Sequence, residues 1–236
     1  PTLIAIITMF LAAGGGLLQS FTGVAILTGV IVLGVLLTFA VSKLLSVTLL
    51  KGVPSSFTLE LPPYRRPQFG KVIVRSILDR TVFVLGRAVA VAAPAGLVIW
   101  ILGTVQIGNI SLIMYCADFL DPFAQFIGLD GVILLAFILG FPANEIVVPI
   151  MLMAYTASGT LVEYESLASL KSILVENGWT VSTAVCTMIF MLCHFPCSTT
   201  CLTVKKETGK FKWTFLAAVI PTAVGIILCA LVNVLL

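Results

Sequence analysis

The stretch GVILLAFILGFPANEIVVPIMLMA (131–154) is apolar at both ends and carries a proline, an asparagine and a glutamate in its middle. Pro142 has no N–H and crowds the preceding turn, so a helix is broken or kinked there. We therefore predict two half-helices over about 131–140 and 143–156, with a bend at Phe141–Pro142. Irregular backbone at membrane depth is tolerated only where protein or a water-filled path surrounds it. The bend therefore belongs inside a bundle or beside a path.

The composition indicates that this stretch belongs to an integral membrane protein. Of the 236 residues 60% are hydrophobic and 10% are charged, and the mean hydropathy is +1.19, far outside the range of soluble domains. Several apolar runs reach the ~20 residues that a spanning helix needs, without the alternation of β-barrel strands. The apolar segments lie at about 1–18, 21–50, 82–105, 131–156, 179–204 and 213–236. The predicted fold class is an all-α integral membrane protein, a polytopic helix bundle with about five spans and a re-entrant broken helix at 131–156.

The distribution of basic residues predicts which connections face the cytoplasm. The connection at 51–80 carries six bases and the turn at 205–212 carries four, and basic flanks are retained on the cytoplasmic side. The connections at 118–130 and 163–176 are poor in bases and are predicted to be external. Segment 131–156 therefore begins and ends on the same side, so we predict that it re-enters the membrane rather than crossing it.

Other features of the chain exclude several classes of function. The net charge of +3 is concentrated in the cytoplasmic connections, so it does not imply a nucleic acid partner. The six cysteines lie mostly in apolar runs, which predicts reduced thiols rather than a disulfide framework. No phosphate-binding loop GxxxxGK, nucleophile elbow GxSxG or zinc motif HExxH occurs, which argues against an enzyme.

Pro1 stands where an initiator methionine would, which predicts a piece of a longer protein. Gly70–Thr81 and Ile110–Phe126 are predicted to be amphipathic and to lie at the membrane interface.

Polar groups at the bend are candidate ligands for a cation. Asn144 offers a carboxamide, Glu145 offers a carboxylate, and the bend near Phe141 offers backbone carbonyls. Glu145 is the only acidic residue inside an apolar segment, where a charge costs on the order of 2.5–3.5 kcal/mol and needs a partner. Alternatively, Glu145 caps N–H groups of the second half-helix or pairs with Arg87, and touches no substrate.

A second group of candidate ligands lies in CTMIFMLCHFPCSTTCL (186–202). On helical spacing its four cysteines share one face, whereas Pro196 interrupts the helix and His194 points about 100° away from Cys193. Thiolate and imidazole suit first-row transition metals, so together with the oxygens of the bend they suggest a path for such an ion. Alternatively, the cysteines are small apolar packing residues. The four are Cys186, Cys193, Cys197 and Cys201.

Four stretches of the chain carry a family resemblance: SSFTLELPPYRRP (55–67), GFPANEIVVPIMLM (140–153), FPCSTTCLTVKKETG (195–209) and KWTFLAAVIPTAVG (212–225). Together they resemble the membrane region of the bacterial ferrous-iron transporter family FeoB. The resemblance implies a multi-pass Fe²⁺ importer of the bacterial cytoplasmic membrane. It divides the chain into two transmembrane helices (1–50), a cytoplasmic link with an amphipathic helix (51–81) and a second Gate region (82–236).

The resemblance also implies site residues and partners. Pro142, Asn144 and Glu145 fall on the second Gate motif of the family. Cys197 takes the place of the cysteine proposed to line the pore, whereas Cys193 and Cys201 carry no family role. The implied partners are the lipid bilayer, an N-terminal G domain that binds GTP with Mg²⁺, a first Gate region, small Feo accessory proteins and further copies of the chain. Gate regions also resemble nucleoside-recognition membrane proteins, so the alternative function is a Gate-like module with a structural or partner-regulating role.

Overall fold

A computed structural model gives the fold and describes residues 2–11, 16–48, 69–108, 110–161 and 166–236. The helices are α1 (Thr2–Ile6), α2 (Leu17–Thr48), α3 (Phe69–Arg75), α4 (Phe83–Thr104), α5 (Leu112–Phe126), α6 (Gly131–Leu139), α7 (Val147–Thr156), α8 (Leu167–Glu176), α9 (Val181–Cys193), α10 (Ser198–Thr208) and α11 (Phe211–Leu235). Wider π-helical turns extend α1 over Ile7–Leu11 and α3 over Ser76–Val82, and a 3₁₀ turn at Asn144–Ile146 precedes α7. Two short antiparallel strands, β1 (Gln106–Ile107) and β2 (Ile110–Ser111), connect α4 to α5.

The chain divides into two compact units. One takes the residues up to Leu27 and from Ala88 onward, and the other takes Thr28–Arg87. In the second unit, α3 and its π-helical extension expose Ile73 and Val74 by more than half, as expected of a helix at the membrane interface. Of the predicted link at 51–81, only the part from Phe69 onward is among the described residues.

The helix lengths agree with the predicted number of spans. Four helical stretches are long and apolar enough to cross a membrane: Leu18–Thr48, Val84–Thr104, Val181–Thr208 and Phe211–Leu235. The pair α5 and α6 passes the same test when taken together, but it is bent by 109° and is therefore either a broken span or a re-entrant loop. The first predicted span, at about 1–18, is a helix only over Thr2–Leu11 among the described residues, and residues 12–15 lie outside them.

Helices α6 and α7 form a hairpin around Pro142. The two arms pack against each other and are buried along most of their length. Near the end of α7, the Tyr155 hydroxyl donates a hydrogen bond to Asp130, the residue that caps the start of α6. The end of the second arm therefore meets the start of the first. The two predicted half-helices thus form a hairpin, with the break within a few residues of its predicted place, and re-entry of this hairpin into the membrane stays a prediction.

Helix α5 packs closely along the first arm of the hairpin. Gly131 makes this contact, because a Cβ atom there would lie 2.0 Å from the Ala117 carbonyl oxygen. Ile113 and Ala117 on α5 are buried, whereas Phe119 is 84% exposed. The segment predicted to be amphipathic therefore turns one face toward α6 and leaves the other uncovered.

Candidate functional site

The tip of the hairpin is an irregular turn between Gly140 and Ala143. The N–H of Ala143 donates to the Gly140 carbonyl at 3.0 Å, and the N–H of Phe141 donates to the Ile138 carbonyl at 3.3 Å. These turn bonds satisfy backbone groups that the break at Pro142 removes from the helical pattern. The Ile138 carbonyl, which the missing N–H of Pro142 cannot serve, therefore keeps a donor.

A second break interrupts the span between α9 and α10. Helix α9 ends at Cys193, and residues 195–197 have no regular structure. Pro196 explains the break, because it provides no N–H and disfavours helical geometry at Phe195. The spacing that placed all four cysteines on one face assumes a continuous helix. The structure corrects that prediction, since Cys197 and Cys201 follow the break and Cys186 and Cys193 precede it.

The two breaks meet each other. The N–H of Ser198, the first residue of α10, donates to the Phe141 carbonyl at the hairpin tip over 2.9 Å. The rings of Phe141 and Phe195 lie 5.8 Å apart, and the His194 ring lies 5.1 Å from that of Phe137. We call this contact between residues 137–146 and 194–201 the junction. It brings the backbone of the bend at Phe141 against the second break, beside His194 and Ser198.

Two buried polar atoms at the junction have no hydrogen-bond partner among the described residues. His194 Nδ1 lies 2.9 Å from the Met191 carbonyl, which can only accept, so the proton of the neutral ring is on Nδ1. Nε2 then presents a lone pair and is buried without a partner, as is the Ser198 hydroxyl. Ser198 is only 4% exposed. A buried polar group without a partner is costly and calls for an explanation such as a water or an ion.

Cys197 occupies the N-cap position of α10. Its sulfur lies 3.1 Å from the Thr199 hydroxyl and 3.2 Å from the Thr200 hydroxyl. One turn later, the Cys201 thiol lies 3.6 Å from the Pro196 carbonyl.

The cysteines before the break pack against α11. A Cβ atom at Gly225 would lie 3.0 Å from the Cβ of Cys193. The thiols of Cys186 and Cys229 each contact the backbone carbonyl of the other residue, at 3.7 and 3.3 Å. Both are fully buried. These contacts are those of small apolar residues in a helix interface.

Asn144 and Glu145 lie in the 3₁₀ turn and are exposed. Among the described residues no hydrogen bond to the Glu145 carboxylate is found, so it does not cap α7. The Arg87 side chain, its other predicted partner, lies outside the described residues. Within the described chain no three His, Cys, Asp or Glu side chains come close enough to hold a metal ion together. Glu145, His194 and Cys197 thus do not form a ready-made metal site.

Apolar cavities flank the hairpin tip. One of about 590 Å³ lies beside Phe141, Phe195 and the middle of α11, around Thr222. Another, of about 420 Å³, lies beside Pro142, Ala143 and the middle of α4. The tip therefore has space on two sides, whereas the arms behind it are tightly packed.

Comparison with known proteins identifies two family regions. Residues 85–211, more than half of the chain, match the Gate family, described as nucleoside recognition, and residues 27–79 match the C terminus of ferrous iron transport protein B. The Fe(2+) transporter FeoB of Staphylococcus aureus (strain MSSA476) is 30% identical over 207 residues, 84% of this chain and 29% of the relative. The Fe(2+) transporters FeoB of Campylobacter jejuni and Methanocaldococcus jannaschii are 25% and 24% identical over 80% and 94% of this chain, and 32% and 33% of their own lengths. This chain thus spans about a third of these relatives, and no solved structure matches it.

Proposed function

This chain belongs to the FeoB family, of which it is a C-terminal membrane region, and we propose that it moves Fe²⁺ across the bacterial cytoplasmic membrane. The observation that carries the proposal is the junction of two broken helices. There the tip of a buried hairpin contacts a proline-broken span, and two buried polar atoms have no hydrogen-bond partner in the part of the chain that the structure describes. Transporters commonly bind their ions at such discontinuous helices.

In the proposed path, the ion exchanges part of its water shell for groups at the junction. Cys197 provides the softest ligand, His194 Nε2 provides a nitrogen, and the Ser198 hydroxyl provides an oxygen. The tip adds the carboxamide of Asn144, the carboxylate of Glu145 and the second lone pair of the Phe141 carbonyl. Because these groups do not form a closed three-ligand set among the described residues, binding is brief, and brief binding suits an ion that must leave again.

The other domains and partners of the proposed transporter lie outside this chain. GTP and Mg²⁺ bind to a G domain of the parent protein, which controls the path, and this chain itself catalyses no reaction. A first Gate region, small Feo accessory proteins and further copies of the chain are the proposed protein partners. Cys193 and Cys201 lie on either side of the break and are further candidate thiol ligands along the path. They do not have the family role of Cys197.

A nucleoside is a weaker candidate substrate. Nucleoside sites need several convergent hydrogen-bonding groups in a mostly apolar pocket. The two cavities beside the hairpin tip are lined almost wholly by apolar side chains and offer no such group of polar partners within the described chain. The polar groups of the junction suit a small cation better than a base and a ribose.

Replacing Ser198 with alanine tests the proposed site. Deleting a buried hydroxyl that has no partner should leave stability unchanged or raise it, because a desolvation cost disappears. If the hydroxyl contacts the ion or its water, however, uptake should fall by about threefold to tenfold, the effect of one hydrogen bond. The measurement is ⁵⁵Fe²⁺ uptake by iron-starved cells that express the full-length parent protein at matched membrane levels.

Ser111 provides the control for this test. Its hydroxyl is also buried without a partner, but it lies at the start of α5, outside the junction. Ser111→Ala should transport iron normally. Equal uptake by the Ser198→Ala and wild-type proteins would show that the Ser198 hydroxyl does not contact the transported ion.

Replacing Glu145 with glutamine should lower uptake several-fold while membrane insertion stays normal. The change keeps the size of the side chain and removes a charge that caps no helix in the described chain. It should therefore weaken binding of the ion without changing the stability of the fold. Uptake and membrane levels are measured together. Normal transport by this variant would leave Glu145 without a role in the path.

A further inference from the structure

Three side chains form a hydrogen-bonded clasp at the open end of the hairpin. The Tyr155 hydroxyl donates to the carboxylate of Asp130 and accepts from the indole N–H of Trp179 at 3.0 Å. Asp130 begins α6, Tyr155 lies in the last turn of α7, and Trp179 directly precedes α9. The clasp of Asp130, Tyr155 and Trp179 therefore joins both arms of the hairpin to the start of the broken span.

Neighbouring contacts fix the clasp to the rest of the unit. The second oxygen of Asp130 caps α6 by accepting from the Ile133 N–H at 2.6 Å, and Asp121 on α5 accepts from the Gly131 N–H at 2.9 Å. Trp179 is only 4% exposed, and its ring lies 5.9 Å from that of Phe10. The open end of the hairpin is thus anchored on several sides.

The hairpin tip is held much less firmly. Its backbone has one hydrogen bond to the broken span, between Ser198 N–H and the Phe141 carbonyl, and cavities lie on two sides of it. The arm α6 has nine residues, so the tip lies about 14 Å from the clasp. A tilt of about 10° at the clasp would move the tip by about 2 Å, enough to break a hydrogen bond.

We propose that the clasp sets the position of the hairpin tip, and that Tyr155 is its central positioning residue. Tyr155 touches no group of the junction and acts through the rigid arms α6 and α7. The Tyr155 hydroxyl donates to the Asp130 carboxylate and accepts from the Trp179 indole N–H, so it bridges these two groups. The consequence for iron uptake rests on the proposed function, whereas the effect on the position of the tip does not.

The test measures the tip directly by cross-linking. In the full-length parent protein, Phe141→Cys places a thiol at the residue whose carbonyl accepts from the N–H of Ser198, the residue after native Cys197, and the shortest bis-methanethiosulfonate reagent is used to join the two thiols in membrane vesicles. Mass spectrometry of the linked peptides separates this product from links to other cysteines. Adding Tyr155→Phe should slow the cross-link by about twofold to tenfold, the range expected from the loss of a hydrogen bond. The Tyr155→Phe change alone should lower the maximal ⁵⁵Fe²⁺ uptake rate and leave the KM for iron nearly unchanged.

Two further variants distinguish loss of the clasp from a general loss of folding. Tyr115→Phe makes the same chemical change at an exposed tyrosine on α5 and should cross-link at the parental rate. Asp130→Asn has one acceptor oxygen for the two hydrogen bonds that Asp130 accepts, from Tyr155 and from the Ile133 N–H, so it should slow the cross-link as Tyr155→Phe does. If Tyr155→Phe is not recovered as a single species in detergent, Trp179→Phe replaces it, with the same slowing expected.

Each outcome decides a separate question. An unchanged cross-linking rate in Tyr155→Phe, or equal slowing in Tyr115→Phe, would overturn the role of the clasp. A slower cross-link confirms that role whatever happens to uptake. If the cross-link slows while uptake stays normal, the clasp positions the tip but the tip lies off the iron path, and the proposed function fails instead.

Discussion

Iron uptake should fall by about tenfold or more when Cys197 becomes serine in the full-length parent protein. Changes to groups that merely support a metal ligand alter affinity by about 10–100-fold, so loss of the ligand itself should have at least that effect. A serine hydroxyl stays protonated at neutral pH and is a poor match for a first-row transition metal. The fold should survive, because Cys197 is the N-cap of α10 and serine is among the best N-cap residues.

Cys116 provides a matched control for this experiment. It is a half-buried free cysteine on α5, outside the junction. Cys116→Ser should take up ⁵⁵Fe²⁺ at the wild-type rate when membrane levels are equal. If Cys197→Ser also transports normally, the sulfur has no role in transport and the oxygens of the hairpin tip bind the ion.

Replacing Gly131 with alanine should leave little folded protein in the membrane. The new methyl carbon would lie 2.0 Å from the carbonyl oxygen of Ala117 and 3.0 Å from the backbone nitrogen of Asp121. Both are backbone atoms, so α5 and α6 would have to separate. Overpacking costs about 1–3 kcal/mol and more when backbone must move, a large part of the ~5–15 kcal/mol that keeps a domain folded.

The measurement for Gly131→Ala is the amount of monodisperse protein extracted in detergent, together with its thermal unfolding temperature. Gly29→Ala is the control, because a Cβ atom at that position in α2 meets nothing within 4 Å. This variant should behave as the wild type. A Gly131→Ala protein with wild-type yield and unfolding temperature would contradict the close contact between α5 and α6.

The hairpin and the second break were predictable because each depends on a local cause. Pro142 interrupts an apolar run, and the scarcity of basic residues in the connections before and after the run implies that it returns to its starting side. Pro196 marks the second break in the same way. What failed was the helical spacing carried through Pro196, since a period of 3.6 residues holds only while the helix is continuous.

The meeting of the two breaks could not be predicted from the sequence. Phe141 and Ser198 are joined through their backbone atoms, so the identity of their side chains carries no signal of the contact. Ser198 itself was overlooked beside three cysteines and a histidine, although a serine just after a proline break is a reasonable candidate. The clasp was missed because Asp130, Tyr155 and Trp179 come together only when both arms of the hairpin are packed.

The contact at the hairpin tip can form only late during synthesis of the protein. Its tip bonds Ser198, which leaves the ribosome about 60 residues after Phe141, roughly 3–12 s later at common elongation rates. During that interval the tip carbonyl has no donor from α10, and lipid offers none. Water or the insertion machinery must therefore shelter the tip until α9 and α10 arrive. A ribosome that pauses between the two segments would prolong the exposure of the part of the chain that is least suited to lipid.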